Sequence, residues 1–127
     1  MSETISILVV DDNPAMATAL ADILGVKSFA VHVATSGAEA LESLRVEPVD
    51  ILLTDVKMPG MNGLELYRET RKAYPKLVTI FMTAYTADEL IRQGMAEGVK
   101  IILDKPVDIG FLLALFSAEK RIISEAG

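Results

Sequence analysis

The chain has 127 residues, 51% of them apolar, with a net charge of −6 and no cysteine. That length suits one domain with one buried core, and the apolar share excludes a disordered polymer. The negative balance argues against nucleic acid or an anionic membrane as a direct partner, and the missing cysteines exclude disulfides and thiolate zinc sites.

In chain order, "MSETIS" lacks the basic start of a signal peptide, so the expectation is a cytoplasmic protein. An apolar run then predicts a first strand over Ile5–Val10, ending in the acid pair Asp11 and Asp12. Asn13 followed by Pro14 has the chemistry of an N-cap and first helical position; Met16, Ala19, Leu20 and Ile23 share a face, and Gly25 is the expected stop. Phe29–Ala34 alternates large apolar residues with small or polar ones, which predicts an edge strand carrying the single histidine, His32, in a packed or solvent-facing role. Ser36 with Glu39 has capping-box spacing at the start of the second helix.

A third strand is predicted over Val49–Thr54, followed by Asp55 and the tight-loop sequence "VKMPGMNG". Asn62 with Glu65 caps a third helix, Leu77–Thr83 forms a fourth strand, and Thr86 with Glu89 opens a fourth helix. Val99–Leu103 is the fifth strand, leading to Lys105–Pro106, and Asp108 caps the last helix. In that helix Ile109, Leu112, Leu113 and Phe116 make a core-facing stripe, while Phe111, Leu115, Ala118 and Ile122 make a second one expected to meet a partner. The greasiest stretch there, "IGFLLALF", falls far short of the ~20 residues of a membrane span.

Five strands alternating with five helices predict an α/β fold, a doubly wound (βα)5 sandwich whose parallel sheet runs in the order 2-1-3-4-5. Ligands of such sheets bind beyond the carboxyl ends of the strands, where the order reverses. There Asp11, Asp12 and Asp55 converge with Thr83 and Lys105. Crowded carboxylates raise the cost of ionising one another. A hard divalent cation with oxygen ligands relieves that conflict, and Mg²⁺ suits it.

The "DD" after the first strand, "DVKMPGMNG" at the third, "TA" after the fourth and "KP" after the fifth resemble the receiver domain of two-component response regulators, the CheY-like family with a flavodoxin-like fold. The resemblance covers nearly the whole chain and implies a single receiver domain over residues 1–127, with its core in about 4–124; the expectation is that no output domain is present, the chain being either a stand-alone receiver or a piece of a longer protein. It implies that Asp55 is the phosphoacceptor, served by a sensor histidine kinase or a phosphotransfer protein. It implies that Asp12 and Asp55 bind Mg²⁺ directly, Asp11 through a water, and Lys57 by its backbone carbonyl. Lys105 and Thr83 would hold phosphoryl oxygens, and Lys105–Pro106 would be a cis peptide. A homodimer or an effector would use helix 4, strand 5 and helix 5. Family members usually carry Tyr or Phe three residues before the lysine; Ile102 stands there.

Two rivals are weighed. A haloacid-dehalogenase-type phosphohydrolase needs a second acid two residues after its aspartyl nucleophile, where this chain has Asn13. A pseudo-receiver that never takes phosphate usually lacks one of the key acids or the lysine, all present here.

Overall fold

The computed structural model describes residues 4–84 and 89–126, with the side chains of the last helix described as far as Ala118. Five strands and five helices alternate: β1 Ser6–Val10, α1 Pro14–Val26, β2 Ala30–Ala34, α2 Gly37–Val46, β3 Ile51–Asp55, α3 Gly63–Ala73, β4 Val78–Thr83, α4 Glu89–Glu97, β5 Ile101–Asp104 and α5 Ile109–Ala126. All pairings are parallel, in the order β2-β1-β3-β4-β5. The expected sheet order is observed, and each strand lies within two residues of its predicted bounds.

The period-2 geometry of a strand sends alternate side chains to opposite faces. Ile7 and Val9 of β1 therefore join Leu53 of β3 and Ile80 and Met82 of β4 beneath Ala17 and Leu24 of α1 and Leu112 and Phe116 of α5. Leu8 and Val10 join Leu52 on the other face, beneath Ala40 and Leu44 of α2 and Leu66 of α3. Farther along that face Phe81 of β4 packs with Tyr67 of α3 and Ile91 of α4. With both faces covered, the central strands are largely apolar, which is why they read as nearly continuous runs.

Helix starts match their sequence signals. Asn13 accepts from the amides of Ala15 and Met16 at 3.1 and 3.2 Å, with Pro14 opening α1. Asn62 and Glu65 form a full reciprocal capping box, both bonds 2.9 Å long. Ser36 accepts from the Glu39 amide, whereas Glu39 reaches back to Thr35 rather than to Ser36. Asp108 accepts from the Phe111 amide at the head of α5. The expected cap at Thr86 lies outside the described residues.

Three details correct the sequence reading. Gly25 does not end α1; the left-handed turn falls on Ser28, at φ 73°, letting the Phe29 amide return to the Leu24 carbonyl. Met16, Ala19, Leu20 and Ile23 share a face, but that face is only partly buried: Leu20 packs against the core beside the fully buried Ala17 and Leu24, while Met16 stays 46% exposed. In α5, Leu115 packs against the core instead of joining an outer stripe, and Phe111 is left 54% exposed beside exposed Ala118. The side chain of Ile122 is outside the described residues.

Candidate functional site

The carboxyl ends of β1, β3 and β4, with the segment after β5, form one edge of the sheet. β1 ends at Val10, so Asp11 and Asp12 emerge as the chain turns toward α1. Asp55 is the last residue of β3 and Thr83 the last of β4. The Lys105 amide donates to the Thr83 carbonyl at 3.0 Å, which continues the β4–β5 pairing by one step and brings the lysine to the same edge. Its peptide bond to Pro106 is cis, as expected.

The carboxylates of Asp11, Asp12 and Asp55 each place an oxygen within 4.8 Å of the others. Asp11 is 2% exposed and Asp55 8%, whereas Asp12 is open to solvent. The Lys105 Nζ donates to Asp11 Oδ2 at 2.8 Å and to Asp55 Oδ2 at 3.1 Å, bridging the two buried acids. Their other oxygens accept from the backbone, Asp11 Oδ1 from the Asn13 amide and Asp55 Oδ1 from the Val56 amide, each at 2.9 Å. Asp12 makes no hydrogen bond or ion pair among the described residues.

Burial pushes the Asp55 carboxyl above its ordinary range; Lys105 pulls it down and Asp11 pushes it up, and burial prevails. For Lys105, burial works against the charge, yet its bonds to Asp11 and Asp55 outweigh it and raise the ammonium above its usual range. One ammonium thus faces three carboxylates, and a net negative charge is left at the edge. An all-oxygen donor set with one solvent-facing acid fits a hard divalent cation such as Mg²⁺.

One determinant escapes a sequence reading of function. The first residue of α3, Gly63, donates its amide to the Val56 carbonyl at 2.8 Å, and a Cβ on it would lie 2.5 Å from the Asp55 carbonyl oxygen. Glycine lets the head of α3 rest directly on the backbone of the buried acid. The only signal was the closing glycine of "MPGMNG", legible as a turn former and silent about its contact.

Of the residues expected at the site, Asp11, Asp12, Asp55 and Lys105 are in mutual reach, and Thr83 is buried at the adjoining strand end. Lys57 lies two residues past Asp55, in the loop leaving β3, with its side chain outward. Asn13, where an aspartyl phosphohydrolase needs its second acid, spends its side-chain oxygen capping α1. An apolar groove of about 210 Å³ runs beside Lys105, lined by Met16, Leu20, Ile23, Met82 and Ile109. A roomier depression of about 540 Å³, by Leu41, Met61 and Arg68, is lined by none of Asp11, Asp12 and Asp55.

Comparison with known proteins agrees with this geometry. Residues 7–117 match the family model of the response regulator receiver domain. A response regulator receiver protein of Anaeromyxobacter sp. (strain Fw109-5) is 40% identical over 108 residues, which is 85% of this chain and 45% of that protein. The transcriptional regulatory protein ZraR of Escherichia coli (strain K12) is 35% identical over 112 residues, 88% of this chain and 25% of that protein. The chain therefore spans less than half the length of these curated relatives. Among solved structures, a CheY-like receiver domain protein from Methanospirillum hungatei JF-1 superposes with a TM-score of 0.91 at 27% identity, covering 98% of this chain and 99% of that one. A receiver protein from Pseudomonas putida superposes at 0.86 with 31% identity, covering 93% and 99%. Among the described residues no helix is long and apolar enough to cross a membrane. By its family model, its sheet order and the acids at its strand ends, the chain belongs to the response regulator receiver domains of two-component signalling systems.

Proposed function

We propose that this domain accepts a phosphoryl group on Asp55 from the phosphohistidine of a sensor kinase or phosphotransfer protein, in a Mg²⁺-dependent reaction. The observation that carries the reading is the Lys105 ammonium spanning Asp11 and Asp55, with Asp12 left unpaired beside them.

An Asp55 carboxylate oxygen attacks phosphorus in line; the P–O bond forms as the P–N bond to the donor imidazole breaks, and the imidazole leaves with its electron pair. Asp12 and Asp55, with Asp11 and the Lys57 carbonyl, would hold Mg²⁺. When bound, the ion supplies positive charge against the carboxylates and the phosphoryl oxygens. Lys105 already touches an Asp55 oxygen, so a small movement lets its ammonium bond the transferred group. The Thr83 hydroxyl, at the adjoining strand end, donates to a second phosphoryl oxygen. Reversal to the resting state needs only water attacking phosphorus, with the Asp55 carboxylate as leaving group. The groove of Met16, Leu20 and Ile23 beside Lys105 gives an apolar footing for the protein that brings the phosphohistidine.

Incubation with acetyl phosphate and Mg²⁺, followed by intact mass, tests the reading. Wild type gains one phosphoryl group, EDTA abolishes the gain, and Asp55→Asn does not take it up. Labelling of Asp55→Asn at the wild-type level would overturn the assignment.

A further inference from the structure

The opposite edge of the sheet, where β4 and β5 begin, holds a cleft that the phosphoacceptor chemistry does not use. It encloses about 220 Å³ and is lined by Tyr67, Lys76, Leu77, Thr79, Lys100 and Ile101 among others. We propose that this cleft binds a small organic anion, its oxyanion held by Lys76 and Lys100 and its body resting on Tyr67, Leu77 and Ile101.

The first observation is an unmet hydrogen bond. Thr79 is 6% exposed, lines the cleft, and its Oγ1 has no partner. Leaving a buried hydroxyl unpaired is costly, so threonine beside Tyr67 at this cleft calls for a hydrogen-bonding partner that the described residues do not supply. One water would satisfy the hydroxyl, yet the cleft has room for about seven at ~30 Å³ each.

The second observation is charge. In a chain of net charge −6, none of the described residues lining this cleft is acidic, and two are lysines. Neither Lys76 nor Lys100 makes an ion pair among the described residues. Glu97, next to Gly98 at the cleft wall, is already taken by Arg68 at 2.6 Å and Arg71 at 3.2 Å. A local excess of positive charge therefore faces the opening.

The third is a preformed wall. The Tyr67 hydroxyl donates to the Glu97 carbonyl at 3.0 Å and sits against Gly98, where a Cβ would lie 2.4 Å from it. Gly98 takes φ +126°, so the chain can pass that close only with glycine there. A wall already fixed lowers the ordering cost of binding. The volume is below the ~300 Å³ at which pockets for drug-sized ligands begin, which points to a single ring or a short chain carrying one carboxylate or phosphate.

Amide shifts of the ¹⁵N-labelled domain, titrated with benzoate, test this without involving the acidic edge. The expected result is saturable shifts at Leu77, Thr79, Gly98 and Lys100, with benzyl alcohol binding at least tenfold more weakly. Lys76→Gln combined with Lys100→Gln should weaken benzoate at least tenfold. The near-isosteric Thr79→Val should weaken it severalfold while raising the melting temperature of the ligand-free domain. Shifts that fail to saturate, or that spread equally to Lys27 and Lys72, would overturn the proposal, as would an undiminished affinity in Thr79→Val. Inorganic phosphate binding as tightly as benzoate would overturn the role given to the apolar wall.

Discussion

Two clusters of charge in this molecule have opposite stoichiometry. At the carboxyl edge, one ammonium (Lys105) faces three carboxylates, two of them buried. Between α3 and α4, one carboxylate (Glu97) faces two guanidiniums, Arg68 and Arg71, with Gln93 also on Arg68 and Arg71 lying over the Tyr67 ring. The second cluster is saturated: the acid has more donors than it needs, and the arrangement ties two helices together. The first is unsaturated, and burial makes its deficit expensive. Under the proposed function, that deficit is what an incoming cation and phosphoryl group would meet. Charge balance and burial together separate a clamp from a reactive site, where counting ion pairs would not.

Breaking the unsaturated cluster should have the largest effect. Lys105→Met removes the one cation bridging two buried acids, so urea unfolding in EDTA should show a loss of up to about 3 kcal/mol. Phosphoryl uptake from acetyl phosphate should slow by about a hundredfold, the cost of deleting a donor aimed at developing charge. Mg²⁺ should restore part of the stability and little of the rate; equal restoration of both would mean that Lys105 serves only as a counter-ion.

Asp12→Ala sharpens the comparison from the other side. Asp12 is exposed, makes no bond among the described residues, and does not cap α1, a task Asn13 performs. Its charge within 4.8 Å of two other acids is worth roughly 1 kcal/mol of repulsion near solvent. The variant should therefore melt higher than wild type in EDTA and lose that advantage in Mg²⁺. A lower midpoint in EDTA would show that repulsion is not the dominant contribution of Asp12.

The saturated cluster should respond more weakly. The Arg68 bond holds the Glu97 carboxyl below its ordinary range; burial opposes this, and the guanidinium charges of Arg68 and Arg71 reinforce it. Its folded-state value is thus below the unfolded one, so the clamp's contribution is present above the ordinary glutamate range and fades as pH falls through the lowered value. Glu97→Gln should flatten that acid limb of the melting curve, shrink further in salt, and leave phosphoryl uptake unchanged. A change in uptake rate would mean that the clamp and the acids are coupled.

The smallest effect expected is none at all. Ile102 is partly buried against Phe81 and the α4 cluster, and its β-branch restricts χ1. Adding beryllofluoride should shift the amides of Thr83 and Leu90 strongly, while Ile102 methyl signals report one unchanged rotamer. Two rotamers exchanging on activation would make this aliphatic side chain part of the switch.

Much of this was legible in the sequence for a plain reason. Where a buried strand ends, an apolar run meets its first charge, so Asp11, Asp55 and Lys105 could be assigned to one edge once the strand order was known. The inward face of α1 was not legible, because Met16, Ala17, Ala19, Leu20, Ala21, Ile23 and Leu24 put apolar groups on most of its circumference. Which ones turn inward is decided by the packing of α1 on β1 and β2, not by periodicity. The Glu97 clamp joins residues 29 apart in sequence, and ordinary surface charges on two helices give no hint that they meet. The hydroxyl of Thr79 was equally silent, since threonine is at home in any strand.

The contact of Gly63 with Asp55 has a consequence for heredity and for engineering. With the Asp55 carbonyl oxygen 2.5 Å from where a Cβ would stand, position 63 admits no drift: even alanine must lift the start of α3 from the sheet. The helix, its capping box and the acid beneath it can only be inherited or transplanted together. A designer who grafts the three acids and the lysine onto another parallel sheet, but leaves a side chain at the head of the following helix, will have copied the charges without the seat that holds them.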